Sequence, residues 1–217
     1  AVGETSEFSG ECSSRSDLTI FDAQKDLLTA LKATGKPVVL VNFSGRPTVM
    51  NWENANFPAI LNVWFGGSEA GDAICDVLFG DKVPSGRLTV SMPKSVGQIP
   101  IYYNHLNTGR PQPEGRPFEK FRSNYIDIDN NPLYPFGYGL SYTTFKYGPL
   151  QLDATSMTAD GQIKVTVPVT NTGSRDADEV VQLYLHDVAA SIARPVKELK
   201  DFARISLRAG ETRNVTF

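Results

Sequence analysis

Two short and almost wholly apolar runs constrain the fold of this chain more than any other feature. The first run is Val38–Phe43, which ends at a Ser-Gly-Arg-Pro break, and the second is Ala59–Trp64, which ends at Gly66-Gly67. Runs of this length and composition are typical of strands that are covered on both faces. Apolar residues at helical spacing precede the first run and follow the second. The pattern therefore predicts a parallel sheet with helices on both sides.

The two helical stretches carry recognisable end signals. The first extends over Leu18–Ala33, with Asp22 as its expected N-cap and Gly35 closing it. The second runs from its expected N-cap, Ser68, to Gly80. Its apolar spacing places Cys75 on a face that we expect to be buried.

A charged loop follows the expected first strand of the sheet. If Ala1-Val2 ends a strand, the loop Gly3–Asp17 lies beyond its carboxyl end, where open α/β sheets bind ligands. The charged residues of this loop are Glu4, Glu7, Glu11, Arg15 and Asp17. A solvated acidic loop without a function is the alternative interpretation at this stage.

The rest of the chain changes character twice. A short strand is expected over Arg87–Ser91, and the proline-rich stretch Asn104–Pro135 predicts an irregular connection. Alternating apolar residues then predict strands over Ile163–Val169, Val181–Leu185, Leu199–Leu207 and Val215–Phe217. Short strands separated by turns favour an antiparallel sandwich, and Pro168 should lie at an edge or a bulge. Because a complete immunoglobulin-like sandwich needs about 100 residues, we expect the last strands to be missing.

Composition and motif spacing exclude several functions. The 21 Lys and Arg against 24 Asp and Glu leave no basic surplus for nucleic acid, and no apolar run reaches the length of a membrane span. Two histidines, His105 and His186, lie too far apart in the sequence to suggest a His-based metal site, so we expect no metal and no cofactor. With only two cysteines, Cys12 and Cys75, we expect plain thiols rather than a disulfide scaffold.

Three motifs together resemble glycoside hydrolase family 3. They are Gly10–Leu18, with its Glu-x-x-x-Arg pattern, Trp64–Gly71, and Pro135–Phe145, which is a very specific signature. Within the family, Pro100–Pro111 is most similar to the bacterial periplasmic β-glucosidases. The resemblance extends over essentially the whole chain, with its motifs in the family's order.

The resemblance implies a fold and a domain organisation. The implied fold is α/β plus all-β: a three-layer α/β/α sandwich, partly truncated at its N-terminus, over residues 1–105, and an incomplete fibronectin type III-like domain over residues 143–217. A Pro- and Gly-rich segment, residues 106–142, connects them. The parent protein would be periplasmic or secreted. Its missing partner would be an N-terminal (β/α)8 barrel that carries the nucleophilic Asp.

The resemblance also implies an activity. The parent would be a retaining β-glucosidase that hydrolyses terminal non-reducing β-D-glucosyl residues, and the chain alone, without the nucleophile, is expected to be inactive. A retaining glycosidase needs one carboxylate to attack the sugar and another to protonate the departing oxygen. The alternative is a non-catalytic module that binds carbohydrate or another protein. It is disfavoured because no cluster of aromatics interrupts the predicted strands.

Particular residues inherit roles from the family pattern. Three glutamates compete for the general acid/base role. Glu11 aligns best because Arg15 follows it at the family spacing, Glu4 is the runner-up, with an orienting role as its alternative, and Glu7 is the third candidate. Arg15 would fix the loop or a carboxylate through charge-assisted hydrogen bonds. Phe8 is a candidate for stacking on a sugar, against ordinary packing. The candidates for lining the subsite or a domain seam are His105, Asn107 and Arg110.

Overall fold

A computed structural model describes residues 1–113 and 115–217. The chain divides into two compact units, each built from separate stretches of sequence. The first unit comprises Ala1–Cys75, Thr89–Tyr103 and Asn107–Phe136, and the second comprises Asp76–Leu88, Asn104–Leu106 and Gly137–Phe217. Among the helices of the described residues, none combines the length and the apolar character that crossing a membrane requires.

The first unit is built on a three-stranded parallel sheet. Its strands are β1 (Val2–Gly3), β2 (Val39–Phe43) and β3 (Ala59–Asn62), in the order β1-β2-β3. Leu40 and Val41 of β2 are buried, as the apolar run predicts. The helices of the α/β part are α1 (Asp22–Ala33), α2 (Asn51–Asn56) and α3 (Ala70–Phe79). The predicted parallel sheet with helices is therefore confirmed.

Helix ends and short elements differ in detail from the sequence predictions. Asp22 is the first residue of α1 rather than its N-cap, which is Phe21, whereas Gly35 follows the C-cap in the left-handed region as predicted (φ +67°). The apolar pattern does not predict α2, because its six residues are too few to show a helical period. The expected strand Arg87–Ser91 is wrong, since that stretch contains only irregular backbone.

The expected burial of Cys75 is also wrong. Both Cys75 and Cys12 are exposed free thiols, and none of the residues of α3, all of which the structure describes, is buried. An apolar period determines which residues share a helix face, but it does not determine what covers that face. Phe79, at the end of α3, is accordingly 82% exposed.

The second unit consists of antiparallel strands, as predicted. Its strands are β4 (Phe145–Tyr147), β5 (Gln151–Leu152), β6 (Val165–Asn171), β7 (Ala177–Leu185), β8 (Glu198–Leu207) and β9 (Thr212–Thr216). In one sheet β6 pairs with β4, β5 and β9, and in the other β7 pairs with β8. The buried core comprises Val167, Val169, Val181, Leu207 and Val215.

Pro168 lies in the central strand of its sheet, at a local break. Residues 169–171 of β6 pair with β4 and residues 165–166 pair with β5, so Pro168 falls between the two partners. Gly148 donates its N–H to the Pro168 carbonyl, and a Cβ at Gly148 would come within 2.7 Å of the proline ring. The missing proline N–H thus costs little in the ladder, although the strand is not at an edge.

Candidate active site

The carboxyl ends of β1 and β2 bring three polar side chains together. Gly3 of β1 is in register with Phe43 of β2, and the N–H of Glu4 donates to the Phe43 carbonyl at 2.7 Å. Because the two strands are parallel, Glu4 and the residues that follow β2, Ser44 and Arg46, meet at one edge of the sheet.

The end of β1 has a conformation that requires glycine. Gly3 has φ +120°, and a Cβ at this position would approach the carbonyl oxygen of Phe43 to 1.8 Å. The side-chain amide of Gln24, on α1, accepts a hydrogen bond from the Gly3 N–H at 2.8 Å and donates to the Gly3 carbonyl at 2.9 Å. Helix α1 therefore holds the backbone from which Glu4 projects.

Glu4 is a buried carboxylate held by two guanidinium groups. Its side chain is 1% exposed, and its Oε1 accepts from Arg15 Nη1 at 2.7 Å and from Arg46 Nη1 at 2.9 Å. Ser44 Oγ lies 3.0 Å from Oε2. Burial acts to raise the pKa of Glu4, but the hydrogen bonds from Arg15 and Ser44 and the charges of both arginines outweigh it. The pKa of Glu4 therefore lies below its ordinary value, and the group is an ionised anchor at neutral pH.

Glu11 occupies a different environment in the same loop. The Ser13 N–H donates to the Gly10 carbonyl at 3.3 Å, so Glu11 and Cys12 form the centre of a turn. Cys12 has φ +60°, a conformation usually taken by glycine at this position of a type II turn. The Glu11 side chain is exposed and has no hydrogen bond or ion pair with any residue within 1–113 or 115–217.

Arg46 connects the Glu11 turn to Glu4. Its Nη2 donates to the carbonyls of Phe8 at 2.6 Å and Ser13 at 2.8 Å, while its Nη1 donates to Glu4. Phe8 precedes, and Ser13 follows, the two central residues of this turn, Glu11 and Cys12. One guanidinium therefore ties both ends of the segment that carries Glu11 to a fixed negative charge.

Arg15 supports the other end of the loop. Besides its ion pair with Glu4, its Nη2 donates to the Thr19 carbonyl at 3.2 Å. Its guanidinium also lies 4.3 Å from the centroid of the Phe21 ring, which in turn contacts the Phe8 ring at 5.5 Å between centroids. Arg15 thus fixes a carboxylate, but that carboxylate is Glu4 rather than Glu11.

The other candidate residues lie in different surroundings. His105 belongs to the second unit, where its carbonyl accepts from the Val196 N–H. Asn107 accepts from the Gly109 N–H in a local turn, and Arg110 accepts through its carbonyl from Ser123. Among the described residues, neither Asn107 nor Arg110 has a hydrogen bond or ion pair with the loop Gly3–Asp17.

Sequence reasoning missed Arg46. The Ser-Gly-Arg-Pro break predicts only the end of a strand, although its position after β2 places it at the same edge of the sheet as Glu4. The available signal was that Arg46 comes just after β2 and that Glu4 comes just after β1, the strand parallel to it. No group of three or more His, Cys, Asp or Glu within the described ranges could hold a metal ion.

The chain consists of an α/β domain, with carboxylates at the carboxyl edge of a parallel sheet, followed by an antiparallel β domain. Residues 1–142 match the C-terminal domain of glycosyl hydrolase family 3, and residues 179–217 match a fibronectin type III-like domain. The chain belongs to glycosyl hydrolase family 3.

Individual relatives cover the whole chain. It is 54% identical to a periplasmic β-glucosidase of Salmonella typhimurium, over all of this chain and 28% of the relative. It is 47% identical to a β-xylosidase of Formosa agariphila, over all of this chain and 29% of the relative. The crystal structure of a β-glucosidase from Listeria innocua in complex with glucose superimposes with a TM-score of 0.93 at 43% identity, covering 99% of this chain and 30% of that one. The chain thus spans about three-tenths of the length of these relatives.

Proposed function

We propose that this chain is the part of a retaining β-glucosidase that supplies the general acid/base, and that Glu11 is that residue. The supporting observation is the contrast between two glutamates of one loop at the carboxyl edge of the sheet. Glu4 is buried and committed to two arginines, whereas Glu11 is exposed on a turn with no described partner. A proton donor must be free to approach the substrate, and of these two glutamates Glu11 meets that condition.

The reaction would proceed in two displacements. In the first, a carboxylate from another part of the complete protein attacks the anomeric carbon, and Glu11 gives its proton to the departing glycosidic oxygen. In the second, Glu11, now ionised, takes a proton from water as the water oxygen attacks the anomeric carbon and releases the nucleophile. Glu11 is reprotonated by this step, and the anomeric configuration is retained.

The substrates would be terminal non-reducing β-D-glucosyl residues. The relatives named as β-glucosidases support this choice, and the β-xylosidase at 47% identity makes β-xylosides the second substrate class to assay. A periplasmic location is proposed from the name of the relative at 54% identity. The nucleophile would lie in the part of the complete protein that this chain does not include.

The test compares Glu11→Ala with the unchanged complete protein on two substrates. On cellobiose, whose leaving group needs protonation, the variant should lose about 100- to 10,000-fold in turnover. On 2,4-dinitrophenyl β-glucoside, whose dinitrophenolate leaving group departs without a proton, the rate of glycosyl-enzyme formation should be nearly unaffected. Azide, which attacks without base assistance, should restore turnover of this substrate and yield β-glucosyl azide.

The controls separate the competing interpretations. Asp26→Ala, which removes an exposed carboxylate from α1, should leave both activities unchanged. The isolated chain should not hydrolyse an aryl β-glucoside. Full cellobiose turnover by Glu11→Ala would overturn the assignment of Glu11. Absence of any glycosidase activity in the complete protein would favour the non-catalytic binding module instead.

A further inference from the structure

We propose that Arg46 is a positioning residue for Glu11, with ionised Glu4 as the counter-charge that holds Arg46 in place. This inference rests on the proposed role of Glu11 and adds a residue to it. Its central observation is that one guanidinium contacts the Phe8 and Ser13 carbonyls on either side of the Glu11 turn, and also contacts Glu4.

The Glu11 turn needs support from outside itself. Its internal hydrogen bonds are long, at 3.3 Å from the Ser13 N–H to the Gly10 carbonyl and 3.4 Å from Ser13 Oγ to the Glu11 carbonyl. Cys12 is in the left-handed region, which is unfavourable for a residue with a side chain. The two bonds from Arg46, at 2.6 and 2.8 Å, are shorter and charge-assisted. They are therefore the stronger tethers of this segment.

The backbone around Arg46 is fitted closely to the same loop. A Cβ at Gly45 would come within 2.3 Å of Ser9 Oγ and 2.9 Å of the Phe65 ring, so the segment after β2 lies directly against the Glu11 loop. The Arg46 N–H donates to Ser44 Oγ at 3.1 Å, and the Arg46 carbonyl lies 2.7 Å from the same hydroxyl. Arg46 is thus held at its backbone as well as at its guanidinium.

The planar fork of arginine suits this task better than lysine would. The guanidinium presents several N–H groups in fixed directions, and here Nη1 serves Glu4 while Nη2 serves the two carbonyls. A lysine ammonium is a point charge that could keep the ion pair with Glu4. It would not present donors in this fixed arrangement to carbonyls on both sides of the turn.

Positioning of a proton donor has a distinct kinetic signature. Displacement of a reacting group by about 1 Å can cost about 100-fold in rate. Loss of Arg46 should therefore slow reactions that need the proton from Glu11 and spare those that do not. A purely structural role would instead lower all activities in proportion to the folded fraction.

The experiment uses the complete protein with Arg46→Met, which keeps the length of the side chain without its donors, and Arg46→Lys. The kcat/KM for cellobiose should fall about 10- to 100-fold in Arg46→Met, while that for 2,4-dinitrophenyl β-glucoside falls less than about threefold. Arg46→Lys should lie between the unchanged protein and Arg46→Met. Lys36→Met, which removes an exposed cation from the connection between α1 and β2, should match the unchanged protein.

Each outcome decides a different point. Equal losses on both substrates that follow the fraction of folded protein, measured by circular dichroism, would overturn positioning and leave the role of Glu11 intact. Unchanged cellobiose turnover in Arg46→Met would do the same. If Glu11→Ala itself keeps full turnover on cellobiose, both the inference and the proposed function fail. A selective loss in Arg46→Met together with a larger one in Glu11→Ala supports both.

Discussion

Replacing Glu4 by Gln should destabilise the first unit of the chain through loss of one negative charge. The substitution keeps the shape of the side chain and one acceptor oxygen, but it leaves Arg15 and Arg46 without their shared counter-charge. Breaking a buried ion pair by removing one partner costs about 3–5 kcal/mol. Because the two arginine side chains are 17% and 16% exposed and water can reach them in part, we expect about 2–3 kcal/mol here.

The assay is a urea titration of the 217-residue chain followed by tryptophan fluorescence. The chain has two tryptophans, Trp52 and Trp64, and both belong to the first unit, so the signal reports the unit that contains Glu4. With a urea dependence of about 1–3 kcal/mol per molar, a loss of about 2–3 kcal/mol should lower the midpoint by about 0.7–3 M. Glu7→Gln, which neutralises an exposed carboxylate in the same loop, is the matched control and should shift the midpoint little.

The pH dependence of this difference tests its electrostatic origin. The folded-state pKa of Glu4 is below its ordinary value of 4.5, so the stabilisation is fully present above that value and is lost as the pH falls through the folded-state pKa. Glu4→Gln resembles the protonated residue at every pH. The gap between the unchanged chain and the variant should therefore be widest near pH 7 and narrow below about pH 4.5. A gap of constant size from pH 7 to pH 3, or no gap at pH 7, would refute the reasoning.

Two further substitutions test the surroundings of the site and the second unit. Gly3→Ala should destabilise the first unit by more than about 2 kcal/mol and so lower its thermal midpoint. The reason is that a Cβ would lie 1.8 Å from the Phe43 carbonyl oxygen, at a residue with φ +120°. An unchanged thermal midpoint would contradict that geometry. The pKa of Tyr147 is raised by burial and by the hydrogen bond and charge of Glu179. Glu179→Gln should therefore lower the pKa of Tyr147 towards its ordinary value, measured in a carbon-13 NMR titration of the Tyr147 ring. An unchanged pKa would exclude the contact.

The parts of the fold that sequence predicted are those encoded by burial on regular elements. The apolar run Val38–Phe43 predicts β2 because a strand covered on two faces needs apolar side chains at nearly every position. Alternation in β6 predicts one buried face in the same way. The strand predicted over Arg87–Ser91 is wrong. Leu88 donates its N–H to the Tyr138 carbonyl, and Met92, just after this stretch, donates to the Tyr134 carbonyl, without a continuous strand ladder between them.

The sequence pattern points to single residues of the candidate site, but not to the contacts between them. Glu11 stands in a recognisable pattern, but Arg46 acts on the backbone carbonyls of Phe8 and Ser13, which lie 38 and 33 residues away in sequence. Any residue type provides such a carbonyl, so no sequence signal marks the contact. The Glu-x-x-x-Arg pattern does not say which carboxylate Arg15 contacts, because a four-residue spacing brings side chains together on a helix but not in an irregular loop. Arg15 pairs with Glu4.

The proposed division of work between Glu11 as acid/base and Glu4 as a charged anchor has a physical reason. A general acid/base must gain and lose a proton in every cycle, so its own charge cannot hold the loop that carries it in a constant position. A second charged residue, which keeps its charge throughout the cycle, can hold the loop without this conflict. Glu4 meets the requirement because the hydrogen bonds from Arg15 and Ser44 and the charges of both arginines keep it ionised, although burial opposes its ionisation. Under the proposed mechanism, the loop would therefore keep one geometry while Glu11 changes its charge in the two steps.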